Sequence, residues 1–442
     1  MRKGTKLTKK VLSLALTTVM TTCMLAGCGG STTTSNDSDS SGKTVLKWSI
    51  WDEKTTPYWG ELANAYMAKH PDIKVEMTDL GSTDYNTVLS TELSGSGSDF
   101  DVVTMKDVPG YATLISKGVI EPLNDRISKD SIELSKYNGA TDQLVADDGK
   151  LYELPFRSDY WVMFYNKDVF DKAGVSYPTN DMTFEEYDEL ARKVSKTGFG
   201  NDQIYGAHYH TWRSAVQLFG VLDGKNNILD GNYDWTKSYY NKILSEQEDG
   251  ICRTYVDLTA SKLHYSGAFS EGTTATMNMG TWFIGTLIAN IKSGQYDKSA
   301  CGNWGIVKYP HPSGVKSGTT LGQVTSLAIP TSSKNKDAAW DFMKFVCGDE
   351  GAEVVAKTGN FPAIMNTETV NQIASMDGFP TDAASKEALQ TVKVYLEAPY
   401  SKDIAQINTI LDTYHKDIMN GDCTVDEGVA NMNKEVKALL GK

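Results

Sequence analysis

The stretch TVLKWSIWDEKTTPYWGELANAYMAKHPDIKVEM, residues 44–77, carries the pattern that decides the fold. Its first segment, VLKWSIW, is mostly apolar and is typical of a strand. A helix is predicted next, because apolar residues recur at helical spacing from Trp59 to Tyr66 and Pro71 ends the pattern. Residues 73–77 then alternate between apolar and polar, as in a half-buried strand. A strand, a helix and a second strand therefore open the folded part of the chain.

The same alternation continues beyond this stretch. DYNTVLSTELSG predicts a second helix and FDVVTM a third strand. Two later helices begin with the capping-box pattern, one from Thr183 to Glu186 and one from Thr424 to Glu427. Alternating strands and helices of this kind favour an α/β fold in which helices cover both faces of a parallel sheet.

The N-terminus predicts secretion and a lipid anchor. Five basic residues lie between positions 2 and 10, and an apolar run from Val11 to Gly27 is too short to span a bilayer. Leu25-Ala26-Gly27-Cys28 resembles a bacterial lipobox, in which diacylglycerol is attached to the cysteine. We therefore predict a lipoprotein signal peptide over 1–27, and a lipidated Cys28 with a flexible Ser/Thr-rich linker over 28–43. An ordinary secreted protein with an incidental Cys28 is the alternative.

Net charge narrows the range of partners. The chain has 442 residues and a net charge of −13, which includes five positive charges in the leader and no acids there. The mature chain of 415 residues therefore carries a net charge of −18. Such an acidic chain is not expected to bind nucleic acid or to adhere electrostatically to anionic lipid.

Motifs for catalysis, cofactors and metals are missing from the sequence. It contains no G-x-S-x-G, no H-E-x-x-H and no G-x-G-x-x-G after a strand, so we predict no cofactor. The pair His208 and His210 lacks further nearby ligands, so no metal site is predicted. Four cysteines of the mature chain lie far apart, and either disulfides or buried thiols are compatible with their spacing. These cysteines are Cys252, Cys301, Cys347 and Cys423.

Several aromatic residues lie beside polar ones instead of within apolar stripes. Trp51 precedes Asp52 and Glu53 at the end of the first strand, where open α/β sheets bind ligands. A sugar combines an apolar ring face that stacks on an indole with hydroxyls that bond to planar polar groups. A role in the core is the alternative for any single tryptophan. Three tryptophans are assigned to packing outright, namely Trp48, Trp304 and Trp340.

Six segments, taken in order, resemble one family. The chain resembles the extracellular solute-binding proteins of carbohydrate-uptake ABC transporters, the maltose-binding-like group. The matching segments are VLKWSIWDE, LSGSGSDFDVVTM, GKLYELPF with YWVMFYNKDVFDKAG, AFSEGTTATMNMGTW, TSLAIPTSSKNKDAAWDFMKFV and TVDEGVANMNKEV. Asp99-Phe100-Asp101 departs from the usual Pro-Asp pair, which affects a turn more than a site.

This resemblance implies two α/β lobes with a ligand cleft between them, joined by crossing hinge strands. The expected lobes are 44–156 plus 322–358 and 157–321 plus 359–442. The resemblance also implies a monomer that is not an enzyme. Its expected partners are a carbohydrate, two ABC permease subunits and their ATPase. A cell-membrane lipoprotein on the extracellular face is expected, with a Gram-positive surface favoured by the Ser/Thr-rich linker and a periplasm as the alternative.

Matching positions in the family imply a set of ligand-binding residues. They are Trp51, Asp52, Glu53, Lys106, Asp107, Arg157, Asp159, Tyr160, Tyr209, His210, Trp212, Gly280, Trp282, Asn360 and Glu397. Trp282 is the foremost stacking candidate. Arg157 and Arg213 could bind the carboxylate of an acidic sugar, but Asp159 is a natural structural partner for Arg157. We therefore expect a neutral oligosaccharide.

Two other functional classes remain open from the sequence. A lipid-anchored glycan-degrading enzyme could use cleft carboxylates such as Asp107 and Glu397, because such pairs leave no local spacing in a sequence. A binding protein for a polyamine, a sugar phosphate or a peptide would keep the transport role and change the solute.

Overall fold

The computed structural model describes residues 42–81, 83–95, 98–195 and 203–442. The predicted signal peptide, Cys28 and nearly all of the predicted linker lie outside these residues. Within the described part, no helix has both the length and the apolar character needed to cross a bilayer.

The opening stretch folds as its pattern predicts. Strand β1 (Thr44–Ile50) leads into helix α1 (Tyr58–Lys69), and strand β2 (Ile73–Asp79) follows. Trp59, Leu62 and Tyr66 are buried, because their spacing places them on one face of the helix. The prediction of strand, helix and strand is confirmed.

The rest of the described chain continues to mix strands with helices. The strands are β3 (Val102–Met105), β4 (Leu154–Asn166), β5 (Tyr205–His208), β6 (Thr274–Gly280), β7 (Trp304–Lys308), β8 (Thr319–Ala328) and β9 (Lys393–Leu396). The helices are α2 (Tyr85–Ser94), α3 (Val108–Ser116), α4 (Asn124–Lys129), α5 (Lys167–Ala173), α6 (Phe184–Ser195), α7 (Ser214–Gln217), α8 (Lys237–Glu248), α9 (Tyr255–Ser261), α10 (Tyr265–Ser270), α11 (Trp282–Ser293), α12 (Lys298–Cys301), α13 (Lys336–Cys347), α14 (Asp349–Lys357), α15 (Thr367–Ala374), α16 (Ala383–Ala388), α17 (Ile404–Asn420) and α18 (Val425–Leu439). Short 3-10 helices lie at Glu53–Thr55, Leu134–Tyr137, Thr141–Gln143, Leu218–Asp223 and Asp234–Thr236.

Both predicted capping boxes form. Before α6, the Glu186 carboxylate accepts the Thr183 backbone N–H at 2.8 Å, and the Thr183 hydroxyl accepts the Glu186 backbone N–H at 3.2 Å. Thr424 and Glu427 make the same reciprocal pair before α18. Each box satisfies backbone N–H groups that the first helical turn leaves without a partner.

The sheet is mixed, which corrects the expectation of a parallel sheet. Its strands follow the order β2-β1-β3-β8-β4-β6-β5, with β7 beside β4 and β9 beside β8. The pairs β1–β2, β1–β3, β5–β6 and β8–β9 are parallel. The pairs β3–β8, β4–β6, β4–β7 and β4–β8 are antiparallel. The alternation of strands and helices predicted the local parallel units but not these two long strands, whose partners are far away in sequence.

Strands β4 and β8 tie the two halves of the chain together. Over Leu154 to Tyr160, β4 pairs with β8, and from Trp161 onward it pairs with β6 and β7. A third connection runs alongside, because the Ala363 backbone N–H donates to the Phe156 carbonyl at 2.9 Å. These are the crossing strands of a two-lobed fold.

The hydrophobic cores divide along the same strands. One core draws its buried residues from 46–156 and 324–355, with Leu396 as an addition. Two further cores draw theirs from 160–321 and 356–436, with Ala112 as an addition. A small fourth cluster joins Tyr137 and Ala352 to Ala363 and Ile364, across the predicted boundary after residue 358. The change between cores occurs close to each predicted lobe boundary, and the boundaries themselves remain a prediction.

Several residues assigned to packing or to turns lie where the sequence suggests. Trp48, Trp304 and Trp340 are buried, as predicted. Asp101, in the segment that departs from the family pattern, is buried and accepts a hydrogen bond from the Ser333 hydroxyl at 2.6 Å, so it holds a turn. All four cysteines of the folded part are free thiols. No cluster of three or more metal-ligating side chains occurs among the described residues.

Candidate functional site

A cavity of about 300 Å³ lies beside the crossing strands. Its lining includes the loop after β3, the middle of β8 and the segment after β9, so elements from both halves of the chain meet there. The lining residues are Lys106, Asp107, Val108, Pro109, Arg213, Gly322, Gln323, Val324, Leu396, Glu397, Ala398 and Asn408. Three residues predicted from the sequence, Lys106, Asp107 and Glu397, are brought together by this cavity.

Glu397 is the most firmly held of these three side chains. Its carboxylate accepts the indole N–H of Trp161 at 2.7 Å and the amide N–H of Gln323 at 3.1 Å. Burial raises the pKa of Glu397, and these two hydrogen bonds oppose that rise. Its backbone N–H also donates to the Gly322 carbonyl at 3.0 Å. The side chain is therefore a positioned hydrogen-bond acceptor at the cavity wall.

Asp107 and Lys106 follow β3 and line the same cavity. Asp107 caps α3 by accepting the Gly110 backbone N–H at 2.8 Å, and it also accepts the side-chain amide of Asn86 at 2.8 Å. The Lys106 ammonium lies 5.5 Å from the centre of the Trp51 ring, a cation–π distance. Both side chains are thus held near the cavity by contacts within the first half of the chain.

Trp51, Asp52 and Glu53, which the sequence predicts at a cleft rim, do not line this cavity and follow β1 in a tight turn. The Asp79 carboxylate accepts the backbone N–H groups of Asp52 at 3.1 Å and Glu53 at 3.0 Å. Asp52 takes a left-handed backbone conformation, with φ of 50°. Trp51 packs edge-on against Trp59 at 5.1 Å, so one side of its ring is fixed by the core.

Arg157 and Asp159 form a pair on β4, at the crossing. Their side chains are 12% and 13% exposed, and the guanidinium contacts the carboxylate at 2.6 Å. Arg157 also donates to the Tyr58 hydroxyl at 2.9 Å, and Asp159 accepts the Thr281 hydroxyl at 3.1 Å. The pair therefore links Tyr58 in α1 to Thr281, the residue before Trp282. Asp159 also compensates the positive charge of Arg157 within the protein.

An aromatic cluster adjoins Glu397 through Trp161. The Trp161 ring contacts that of Trp282 at 6.1 Å, and Trp282 contacts Trp212 at 6.2 Å. Gly280 makes this arrangement possible, because a Cβ at that position would lie about 2.0 Å from the Trp282 ring. Trp282 is partly buried and Trp212 is 38% exposed, so the cluster runs from the interior toward solvent.

Three predicted binding residues are directed elsewhere. Tyr160 is buried in a core and donates its hydroxyl to the Leu389 carbonyl at 2.6 Å. Tyr209 is buried and donates to the buried Glu246 carboxyl at 3.2 Å. Asn360 bonds to the Thr358 hydroxyl at 3.1 Å and does not line the cavity. Their polar atoms are engaged in packing, so a ligand role for them is not supported by their positions.

His210 packs against the aromatic cluster through its contact with Trp212. It is 9% exposed, and its ring meets that of Trp212 edge-on at 4.6 Å. Burial, with His264 nearby, lowers the pKa of His210 to about 4, so the ring is neutral at neutral pH. Its place is consistent with positioning Trp212 more than with contacting a solute.

Sequence patterns missed several residues of this region. Gln323 and Asn408 line the cavity, and Tyr265 contacts Trp212 at 5.5 Å. Arg213 also lines the cavity, and from the sequence it was considered only as a partner for an acidic sugar. Gln323 lies next to the predicted lobe boundary between residues 321 and 322, and this was the only sequence feature that pointed to it. Asn408 and Tyr265 lie in amphipathic helices, where nothing in the local pattern distinguishes them from surface residues.

Comparison with known proteins identifies the class. Residues 52–353 match the family described as bacterial extracellular solute-binding protein, and this chain belongs to that family. Its members are substrate-binding proteins of ABC transporters and not enzymes, so the glycan-degrading alternative is set aside. The resemblance and the two-lobed fold predicted from the sequence are confirmed.

Individual relatives lie within the same class. The chain is similar to a solved sugar transporter of Rhizobium etli in an open conformation, with 49% identity, 89% of this chain and 99% of that one covered, and a TM-score of 0.85. It is 25% identical over 376 residues to the galactooligosaccharide-binding protein of Bacillus subtilis, covering 80% of this chain and 83% of the relative. A maltooligosaccharide ABC transporter solute-binding lipoprotein of Streptococcus pneumoniae is 25% identical over 399 residues, covering 85% of each.

Proposed function

We propose that the chain is a lipid-anchored binding protein that captures a neutral oligosaccharide in the interlobe cleft and delivers it to ABC permease subunits and their ATPase. The observation that carries this proposal is the contact between Trp161 and Glu397, which joins an aromatic cluster to a polar cavity. Sugar rings stack on indoles while their hydroxyls need fixed acceptors and donors. Trp282, whose ring contacts that of Trp161, would supply the stacking, and Glu397, which accepts the Trp161 indole N–H, would supply a hydrogen-bond acceptor.

A neutral ligand is favoured because both nearby arginines already have partners. Arg157 is paired with Asp159. Arg213 donates to Asp412 at 3.1 Å, to Gln217 at 3.1 Å and to Asn408 at 2.9 Å. A ligand carboxylate would have to compete with Asp159 and Asp412 for these guanidinium groups, whereas hydroxyl groups can add to the remaining acceptors.

The cleft is proposed to lie between lobes formed by 44–156 plus 322–358 and by 157–321 plus 359–442. The division of the three larger hydrophobic cores supports these boundaries, and one small cluster crosses the boundary after residue 358. Closure of the lobes on a sugar would expel water and strengthen each polar contact with Asp107 and Glu397. Among the proposed ligand contacts, Lys106, Asp107 and Glu397 line the cavity. Trp51, Asp52, Glu53, Trp212 and Trp282 do not line it and are proposed from their positions in the family.

Anchoring through Cys28 completes the proposal. The lipoprotein relative from Streptococcus pneumoniae supports it, together with the basic leader and the linker of this chain. A tethered monomer on the extracellular face of the membrane would stay beside its permease. The test is metabolic labelling of the full chain with palmitate, with Cys28→Ala as the control. Equal labelling of both proteins would refute attachment at this cysteine.

Isothermal titration of the mature chain against neutral and acidic mono- and oligosaccharides tests the ligand. We expect micromolar binding of a neutral oligosaccharide, a loss of binding in Trp282→Ala, and no breakdown of the sugar. Tyr177→Ala is the matched control, because Tyr177 is 39% exposed, donates to Asp171 and does not line the cavity.

Each other outcome of the titration has a definite meaning. Selective binding of uronic acids would overturn the neutral-sugar proposal. Binding of a polyamine, a sugar phosphate or a peptide alone would overturn the assignment of a sugar. Binding that weakens strongly with salt would also point to a charged solute.

A further inference from the structure

A second cavity, of about 290 Å³, adjoins the cavity of the candidate site but has largely different walls. Of the described residues, only Leu396 and Glu397 line both, so the end of β9 and the residue after it form a shared wall. The other walls come from the 3-10 helix Thr141–Gln143, and from the 3-10 helix Leu218–Asp223 with the loop after it. Elements of both proposed lobes therefore meet at this second cavity, and Glu397 is its only predicted ligand-binding residue.

The walls of the second cavity are mainly apolar. Aliphatic side chains come from the later 3-10 helix, from the loop after it and from the end of β9. They are Leu218, Val221, Ile228, Leu229, Leu396 and Pro399. An apolar cavity of about 150 Å³ holds a molecule the size of benzene. The second cavity is about twice that size and therefore has room for an apolar body of about ten carbons.

The loop that carries part of these walls is fitted to β9. Gly224 has a φ of 71°, and a Cβ at that position would lie about 2.5 Å from the Tyr395 hydroxyl. The Asp223 carboxylate accepts the backbone N–H groups of Lys225 at 2.7 Å and Asn226 at 2.9 Å. Because these contacts fix the loop beforehand, a ligand would not have to order it on binding.

The amide side chains that line the second cavity are engaged within the protein. The Gln143 amide donates to the Val394 carbonyl at 2.8 Å and accepts the Leu396 backbone N–H at 2.9 Å. The two asparagines of the loop donate to neighbouring aspartates at 2.9 and 3.2 Å. The second cavity therefore offers few neutral groups to sugar hydroxyls, and it differs in kind from the candidate sugar site.

Charged groups provide the remaining polar contacts. Lys225 and Lys393 line the second cavity, both are exposed, and neither forms an ion pair with a carboxylate of the described residues. The Lys393 ammonium lies 4.7 Å from the centre of the Tyr395 ring, which also lines the cavity. Asp142 is the opposing charge, whereas the Glu397 carboxylate is bonded in the site described above. Two ammonium groups against one remaining carboxylate favour an anion.

We propose that the second cavity binds an amphipathic monocarboxylate, such as a medium-chain fatty acid. The apolar body of about ten carbons lies between the aliphatic walls, and the carboxylate lies at Lys225 and Lys393. Burial of apolar surface supplies most of the affinity, and the two ammonium groups select an anionic head group. This site is additional to the capture of a sugar and does not depend on which sugar is bound.

Isothermal titration of the mature chain with decanoate, below the concentration at which decanoate forms micelles, tests the site. We expect a dissociation constant of about 0.1 mM, with acetate and decyltrimethylammonium at least about ten-fold weaker. Combining Lys225→Gln with Lys393→Gln should weaken decanoate binding about ten-fold, because both ammonium groups are removed and the aliphatic walls are kept. The matched control combines Lys334→Gln with Lys386→Gln, two exposed lysines that do not line the cavity.

Leu229→Trp is an independent test, because the larger side chain would fill the second cavity. Decanoate binding should be lost, while calorimetry should show that the variant still unfolds cooperatively. A wild-type protein that does not bind decanoate, or a double lysine variant that binds it as tightly as its control, would overturn the proposal. Tighter binding of decyltrimethylammonium than of decanoate would also overturn it, since Asp142 would then dominate the site. None of these titrations contains a sugar, so their failure leaves the proposed function intact, and a failure to bind sugars leaves this site intact.

Discussion

Asp159→Asn is the substitution that most directly tests the internal role of Arg157. The change keeps the shape of the side chain but removes the negative charge that contacts the guanidinium at 2.6 Å. Because both side chains are nearly nine-tenths buried, the remaining charge would lose its main compensation. Removing one partner of a buried pair typically costs about 3–5 kcal/mol.

The lower end of that range is expected for this pair. Arg157 keeps its hydrogen bond to the Tyr58 hydroxyl at 2.9 Å, and its side chain retains some contact with water. A loss of about 3 kcal/mol corresponds to a fall of roughly 6–12 °C in the unfolding temperature of a domain of about 150–250 residues. Differential scanning calorimetry at low and high salt measures this fall, which salt should change little because the pair is buried.

Asp349→Asn is the matched control. It removes an equivalent charge from Lys136, in a pair whose side chains are 41% and 51% exposed, so its cost should stay below about 1 kcal/mol. If Asp159→Asn left the unfolding temperature unchanged and gained affinity for uronic acids, the pair would not be structural. Arg157 would then be a reader of ligand carboxylates, which contradicts its assignment as an internal partner of Asp159.

Three further predictions concern other parts of the protein. Gly280→Ala should displace the Trp282 ring and weaken sugar binding about ten-fold in a titration. Gly285→Ala should not, because its added Cβ would lie 3.9 Å from the nearest atom, an ordinary contact distance. Burial raises the pKa of Glu153 above its usual 4.5, so the folded protein loses stability as pH rises above 4.5, where the carboxyl ionises more readily in the unfolded chain. Glu153→Gln should therefore raise the unfolding temperature at about pH 8 more than at about pH 4. Burial lowers the pKa of His415 from 6.5 to about 3, so stability should fall as pH drops below 6.5, and His415→Gln should flatten that slope in calorimetry. Unchanged slopes in either pH series would contradict the assigned titrations.

Local patterns in the sequence were sufficient for much of the architecture. The first strand, helix and strand, both capping boxes and the burial of Trp48 follow from spacing along the chain, because these features depend on residues within a few positions of one another. The family resemblance supplied the two lobes and the crossing strands. The spacing of elements alone suggested a purely parallel sheet, which the antiparallel pairing of β4 and β8 corrects.

The candidate site was predicted less completely, for a physical reason. Tyr160 and Trp161 are neighbours on β4, yet one bonds to Leu389 in a core and the other to Glu397 at the cavity, because adjacent strand residues point to opposite faces. The sequence determined that aromatic and acidic residues are plentiful near the strand ends. Only the tertiary structure decided which face meets the cleft, since that depends on partners more than two hundred positions away.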